Sequence, residues 1–225
     1  MYKLDRKFLT SLRFLVVFLL VSACGPRFVE NRYESPSEYY LYVPDNYEPS
    51  GEFYLFVALH GQEQDGADCY EEWWRYAREV RFFLLCPTMP MEEDGYNRSE
   101  AEIELAAILT DIYSRYTLAN QFFLAGYEAG ADFALPYAYR YPSAILGLSI
   151  MGPRSLPSAA FAYNIPTLLL VGEEETDERL AAETFSDVLQ GAGYSIRLVV
   201  VSGLDVSLSP DARRMSVDLY RDLTY

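Results

Sequence analysis

The stretch with the most chemical promise is Gly126-Tyr127-Glu128-Ala129-Gly130, which follows the apolar run Phe122-Phe123-Leu124-Ala125. Glycines on either side of one polar position permit close backbone approach and dihedrals that other residues resist. Glu128 would then stand at a strand-to-helix turn, with its carboxylate at a helix N-terminus where the dipole stabilises negative charge. It is a poor stand-in for the alkoxide that attacks a carbonyl in acyl transfer. That chemistry also needs a base, and imidazole is the side chain suited to it near neutral pH. The chain has one histidine, His60, followed by Gly61. Ser149 and Ser155 lie near a strand end but not on a comparable turn, so a relocated triad would have to share that histidine. One histidine and the scattered Cys69 and Cys86 do not make a zinc pattern. The run Glu173-Glu174-Glu175 with Asp177 offers oxygens suited to a hard cation, but as a charge run it reads as a solvated acidic loop. Neither a metal nor a cofactor is expected.

These residues are set in a regular alternation of strands and helices. Glu38–Val43 reads as a strand stopped by Pro44-Asp45-Asn46, and the continuous apolar run from Phe53 to Leu59 fits a strand buried on both faces. A helix is expected over Ala67–Val80, with Trp73, Trp74 and Ala77 at helical spacing, then a strand over Arg81–Cys86 ended by Pro87. Thr88–Arg98 reads as a loop, and Ser99 with Glu102 as a capping box opening the next helix. Further strands are expected at Gln121–Ala125, Ile145–Met151, Thr167–Val171 and Ser195–Val201. Helices are expected at Ala129–Tyr141 and Glu178–Leu189, and after Ser209-Pro210. The alternation predicts an α/β fold: a three-layer, mostly parallel sheet with helices on both faces. Chemistry then belongs at the carboxyl ends of the strands. The tyrosines and tryptophans of the helices (Tyr70, Trp73, Trp74 and Tyr76; Tyr137, Tyr139 and Tyr141) read as core packing.

Four stretches resemble the α/β-hydrolase superfamily, nearest its secreted esterase and polyhydroxybutyrate-depolymerase-like group, and together they span nearly all of residues 38–223. Tyr42-Val43-Pro44 with Leu59-His60-Gly61 resembles the first strands and the oxyanion loop. Gly126–Gly130 takes the place of the G-x-S-x-G nucleophile elbow. Thr167–Val171 with Gly172-Glu173-Glu174-Glu175 resembles the strand and loop carrying the acid, and Val201–Ser207 the loop carrying the histidine. The resemblance implies Glu128 at the nucleophile position, Glu175 at the acid and Val206 at the histidine. Leu204 or Asp205 are the alternatives for the last, and Asp177 for the acid. His60 matches the oxyanion-loop histidine, which shapes that loop and does not act as base. Some members of the superfamily use an aspartate nucleophile, yet still need a histidine to activate water. With nucleophile and base both absent, no catalytic set is intact, and triad members act as a unit.

The start of the chain carries Lys3, Arg6, Lys7 and Arg13, then the apolar run Phe14–Val21, then Ser22-Ala23. That is the layout of a secretory signal peptide, and the run is too short to span a membrane. Val21-Ser22-Ala23-Cys24 resembles the bacterial lipobox, which implies lipidation of Cys24. The expected organisation is a lipoprotein signal peptide over 1–23, a tether over 24–37 and one hydrolase-like domain over 38–225. Loss of the leader removes four positive charges and one negative, taking the net charge from −15 to −18. Such a chain repels phosphate backbones, so no nucleic-acid partner is expected. It also repels anionic lipid headgroups, so attachment to the envelope must come from the lipid at Cys24. In an exported compartment a disulfide is permitted, while without geometry Cys69 and Cys86 read as buried thiols.

The expectation is therefore a non-catalytic, lipid-anchored envelope protein with a small-molecule or protein ligand in the cleft above Glu128. The alternatives are an active ester-type hydrolase using Glu128, and a structural lipoprotein with a filled pocket.

Overall fold

The computed structural model describes residues 32–202 and 209–225. Ten strands are present among them: β1 Arg32–Tyr33, β2 Tyr39–Tyr42, β3 Leu55–Leu59, β4 Phe83–Pro87, β5 Met91–Glu92, β6 Gly95–Tyr96, β7 Phe122–Tyr127, β8 Ile145–Met151, β9 Thr167–Gly172 and β10 Ile196–Val201. The helices are α1 Gly66–Val80, α2 Arg98–Arg115, α3 Ala129–Arg140, α4 Thr176–Gly191 and α5 Pro210–Thr224. Eight strands form one sheet in the order β1-β2-β4-β3-β7-β8-β9-β10. From β4 to β10 every pairing is parallel, and β1 and β2 are antiparallel additions at one edge.

The central strand explains the layers. In β3, Leu55, Val57 and Leu59 point into one core and Phe56 and Ala58 into the other, all at most 2 % exposed. Successive strand side chains face opposite sides, so an unbroken apolar run requires cover on both. α2, α3 and α4 cover the first side with Leu105, Leu135 and Phe185. α1 and α5 cover the second with Trp73 and Tyr220. There Phe56 is central, stacked on Phe82 and Phe123 and met edge-on by Tyr220.

Several boundaries differ from the sequence reading. The sheet takes in Arg32–Tyr33, ahead of the expected domain start at 38, by pairing them with Tyr39 and Tyr40. Arg81 does not open a strand. It ends α1 in the left-handed conformation, φ 69°, with its N–H on the Ala77 carbonyl. The capping box of α1 is Asp65 with Asp68. Asn97, not Ser99, caps α2: its Oδ1 accepts the Glu100 N–H, while the Asn97 N–H is held on the Pro90 carbonyl. Glu102 instead turns outward to Arg140, 2.7 Å away. The expected loop 88–98 contains the β5–β6 hairpin. At the C-terminus Ser209 caps α5, as expected. Among the described residues no helix is long and apolar enough to cross a membrane.

Candidate functional site

β7 ends at Tyr127, Glu128 makes the turn, and α3 starts at Ala129. Glu128 has φ 46° and ψ −111°, a conformation that costs a residue with a Cβ about 1–3 kcal/mol. Its backbone is held on both sides, with its N–H on the Met151 carbonyl at 3.0 Å and its carbonyl accepting the Asp132 N–H at 2.9 Å. The flanking glycines are required by close approach. A Cβ on Gly126 would lie 2.4 Å from the Gly130 carbonyl oxygen, and one on Gly130 would lie 2.6 Å from that of Leu59. The tight strand-to-helix turn expected at Gly126–Gly130 is therefore present, with Glu128 at its apex.

The loop after β3 faces this turn. A Cβ on Gly61 would meet the Tyr127 ring at 2.7 Å and Glu128 Oε2 at 2.8 Å, so only glycine lets the two segments meet. The Gln62 N–H donates to Glu128 Oε2 at 3.3 Å. Gln62 Nε2 in turn donates to the carbonyls of Glu92 and Glu93, which ties the loop to the β5–β6 hairpin. His60 is 2 % exposed, and both its nitrogens are engaged by backbone. Nδ1 donates to the Gly61 carbonyl at 2.8 Å, and Nε2 accepts the Met89 N–H at 3.0 Å. That pair fixes a neutral tautomer with the proton on Nδ1. Burial pushes the imidazole below its ordinary value, against the opposing pull of the Gly61 carbonyl and of Asp65 and Asp68. The His60 carbonyl accepts the Tyr96 hydroxyl at 2.7 Å.

Glu175 stands at the N-terminus of α4 and turns its carboxylate back to the end of β9, where Oε2 accepts the Gly172 N–H at 2.8 Å. Glu173 and Glu174 are exposed. Val206, Leu204, Asp205 and Cys24 lie outside the described residues. Ser149 is buried, its Oγ 2.6 Å from Ser216 Oγ on α5. The Ser155 N–H is held by Asp132.

Two features were not singled out from the sequence. Gln62 follows directly on His60-Gly61, and its N–H meets Glu128; that adjacency was the available signal. Asp132, in the first turn of α3, accepts the backbone N–H of Arg154 at 2.9 Å and its Nε at 3.0 Å, while Arg154 Nη2 reaches the Asp94 carbonyl. This pair clamps the loop after β8 to α3 and the hairpin, and no local pattern announces it.

No family model matches the chain, and no curated protein does. Many solved structures share its fold. A structure described as a thermostable esterase is 17 % identical with a TM-score of 0.65, over 84 % of this chain and 61 % of that one. Esterase PE8 is 19 % identical with a TM-score of 0.64, over 81 % and 97 %. FphF, a fluorophosphonate-binding serine hydrolase of Staphylococcus aureus, is 12 % identical with a TM-score of 0.63, over 84 % and 96 %. The mostly parallel sheet, the turn at Glu128 and these likenesses agree: the chain has the α/β-hydrolase fold.

Proposed function

We propose that this chain is a non-catalytic lipoprotein of the cell envelope, holding a small-molecule or protein ligand above Glu128. The contact of Glu128 Oε2 with the Gln62 N–H, at 3.3 Å, carries the non-catalytic part of this reading. In acyl transfer an N–H at that place receives the negative charge that develops on the substrate oxygen. A resident carboxylate occupies it with like charge before any substrate arrives. A second support is that both His60 nitrogens are engaged by backbone, which leaves the imidazole neither free nor oriented to take a proton from an attacking group. Attachment through lipid at Cys24 suits a chain too acidic to bind anionic headgroups by charge.

The test is exposure of the purified protein to a fluorophosphonate probe and a panel of acyl esters. No serine adduct and no turnover above a heat-denatured control are expected, and Glu128→Ser alone should stay at that background. An adduct on any serine overturns the reading. So does ester turnover that Glu128→Gln abolishes, which would make Glu128 a working catalytic residue. For the anchor, Cys24→Ala should move the protein from the detergent phase to the aqueous phase; unchanged partitioning would place the anchor elsewhere.

A further inference from the structure

We propose that Cys69 and Cys86 are joined by a disulfide in the mature protein, closing α1 onto β4. The two Sγ atoms lie 3.0 Å apart, and both residues are buried, at 2 % and 0 % exposure. They are 17 positions apart in the chain and belong to different elements, a helix and the strand it covers. A bonded pair stands at about 2.0 Å, so roughly one ångström remains, a distance within reach of small side-chain rotations. The helix–strand packing has already placed the backbones.

The position gives the cross-link a consequence. Just beyond Cys86, the Thr88 hydroxyl accepts the Gly66 N–H at 3.1 Å, and the Met89 N–H holds His60 Nε2 at 3.0 Å. On the other side, Cys69 Sγ also contacts the Ala58 carbonyl at the end of β3. The disulfide would therefore pin the first turn of α1 to β4, just ahead of the segment whose Met89 N–H holds His60, and would replace the thiol hydrogen bond from Cys69 to Ala58. It is a cross-link of the scaffold on which the site stands, and it does not depend on whether the site is catalytic.

The chemistry, which rests on the export proposed above, is exchange with a disulfide-bearing oxidant of the kind an exported compartment supplies. One cysteine thiolate attacks the oxidant's disulfide to give a mixed disulfide. The second displaces it, forming the Sγ–Sγ bond. The two protons given up by the cysteines pass to the oxidant's sulfurs, which leave as two thiols carrying the two electrons. Burial pushes the Cys86 thiol well up, with the Cys69 hydrogen bond adding to it, and a thiol is a poor nucleophile. With both sulfurs also buried away from an oxidant, a protein folded in the reduced state should oxidise slowly.

The full chain is unfolded in reductant, freed of it, and refolded in a buffer of oxidised and reduced glutathione. It is then alkylated under denaturing conditions and mapped by mass spectrometry. The expected result is that the Cys69 and Cys86 peptides are joined and about 2 Da lighter than the dithiol pair. The melting temperature should fall by roughly 5–10 °C on reduction. Quantitative alkylation of both cysteines overturns the proposal, as does a bond from either one to Cys24 or to glutathione in place of the pair. The variants Cys69→Ala and Cys86→Ala should each abolish the redox-dependent difference in melting temperature. Persistence of that difference in either also overturns it.

Discussion

The turn at Glu128 and the acidic loop after β9 are held in opposite ways. At the turn, glycines at 61, 126 and 130 face backbone or ring atoms closer than any Cβ tolerates. The surrounding strands are buried on both faces. At the β9–β10 edge the packing is loose. Arg197 and Val200 of β10 are exposed, and Gly191 and Gly193 have nothing within reach of a Cβ. The Glu175 side chain is tied by one hydrogen bond, to the Gly172 N–H. The centre of the molecule thus keeps hydrolase geometry because packing leaves it no alternative. The identity of the side chain at 128 is free of that constraint, since its carboxylate turns to a loop N–H and not into a core. Shape and chemistry are separately determined, and the fold by itself specifies only the first.

The sharpest way to break this contrast is to add one methyl group in each region. Gly126→Ala puts its Cβ 2.4 Å from the Gly130 carbonyl oxygen, with backbone on both sides and nothing flexible to move. It should destabilise by roughly 3–5 kcal/mol in urea unfolding, in the range of severe core substitutions. Gly191→Ala, with open space around it in the last turn of α4, should be neutral or stabilising by up to about 1 kcal/mol. Similar effects at the two positions would remove the distinction.

His60→Gln comes next, at roughly 2–4 kcal/mol, because it disturbs two buried backbone partners at once. The sign of the pH dependence follows from burial. The folded imidazole titrates below the unfolded value of 6.5, so below that pH the unfolded chain takes up a proton that the folded chain refuses. Stability is full above about pH 6.5 and is lost as the pH falls toward the folded value. In parallel unfolding series the parent should lose more stability over that window than His60→Gln. A difference between the two that does not change with pH would mean that the imidazole does not stay neutral in the fold.

Relief of strain at the turn gives a smaller effect of opposite sign. Glu128→Gly removes the Cβ from a position at φ 46°, and it should raise stability by about 1 kcal/mol after the entropy of the added glycine is offset. A loss of stability would mean that the Glu128–Gln62 contact outweighs the strain. The smallest effect is expected at the edge. Glu175→Ala deletes the acceptor of the Gly172 N–H at a half-buried site, for about 0.5–1 kcal/mol.

Much of the fold could be read in advance, and the reason is local. A seven-residue apolar run such as Phe53–Leu59 can be satisfied only by cover on both faces. Strand–helix alternation then admits few topologies. Boundaries were harder, because caps are decided by neighbours. Asn97 captured α2 from Ser99 because the hairpin holds its backbone through Pro90. Arg81 became the end of a helix because its N–H reaches Ala77.

For the site the division is similar. Residue types alone determine that one imidazole is available, that a carboxylate occupies the turn, and that the turn's flanks are glycine. What those groups touch was decided only in three dimensions. Gln62 meets Glu128 across 66 positions of chain, Met89 occupies the free nitrogen of His60 across 29, and Cys69 and Cys86 meet across 17. Hydrogen bonds and sulfur contacts act over a few ångströms, and sequence patterns report periodicity within an element. Contacts between elements therefore become legible only when the sheet sets β3 beside β7 and β4.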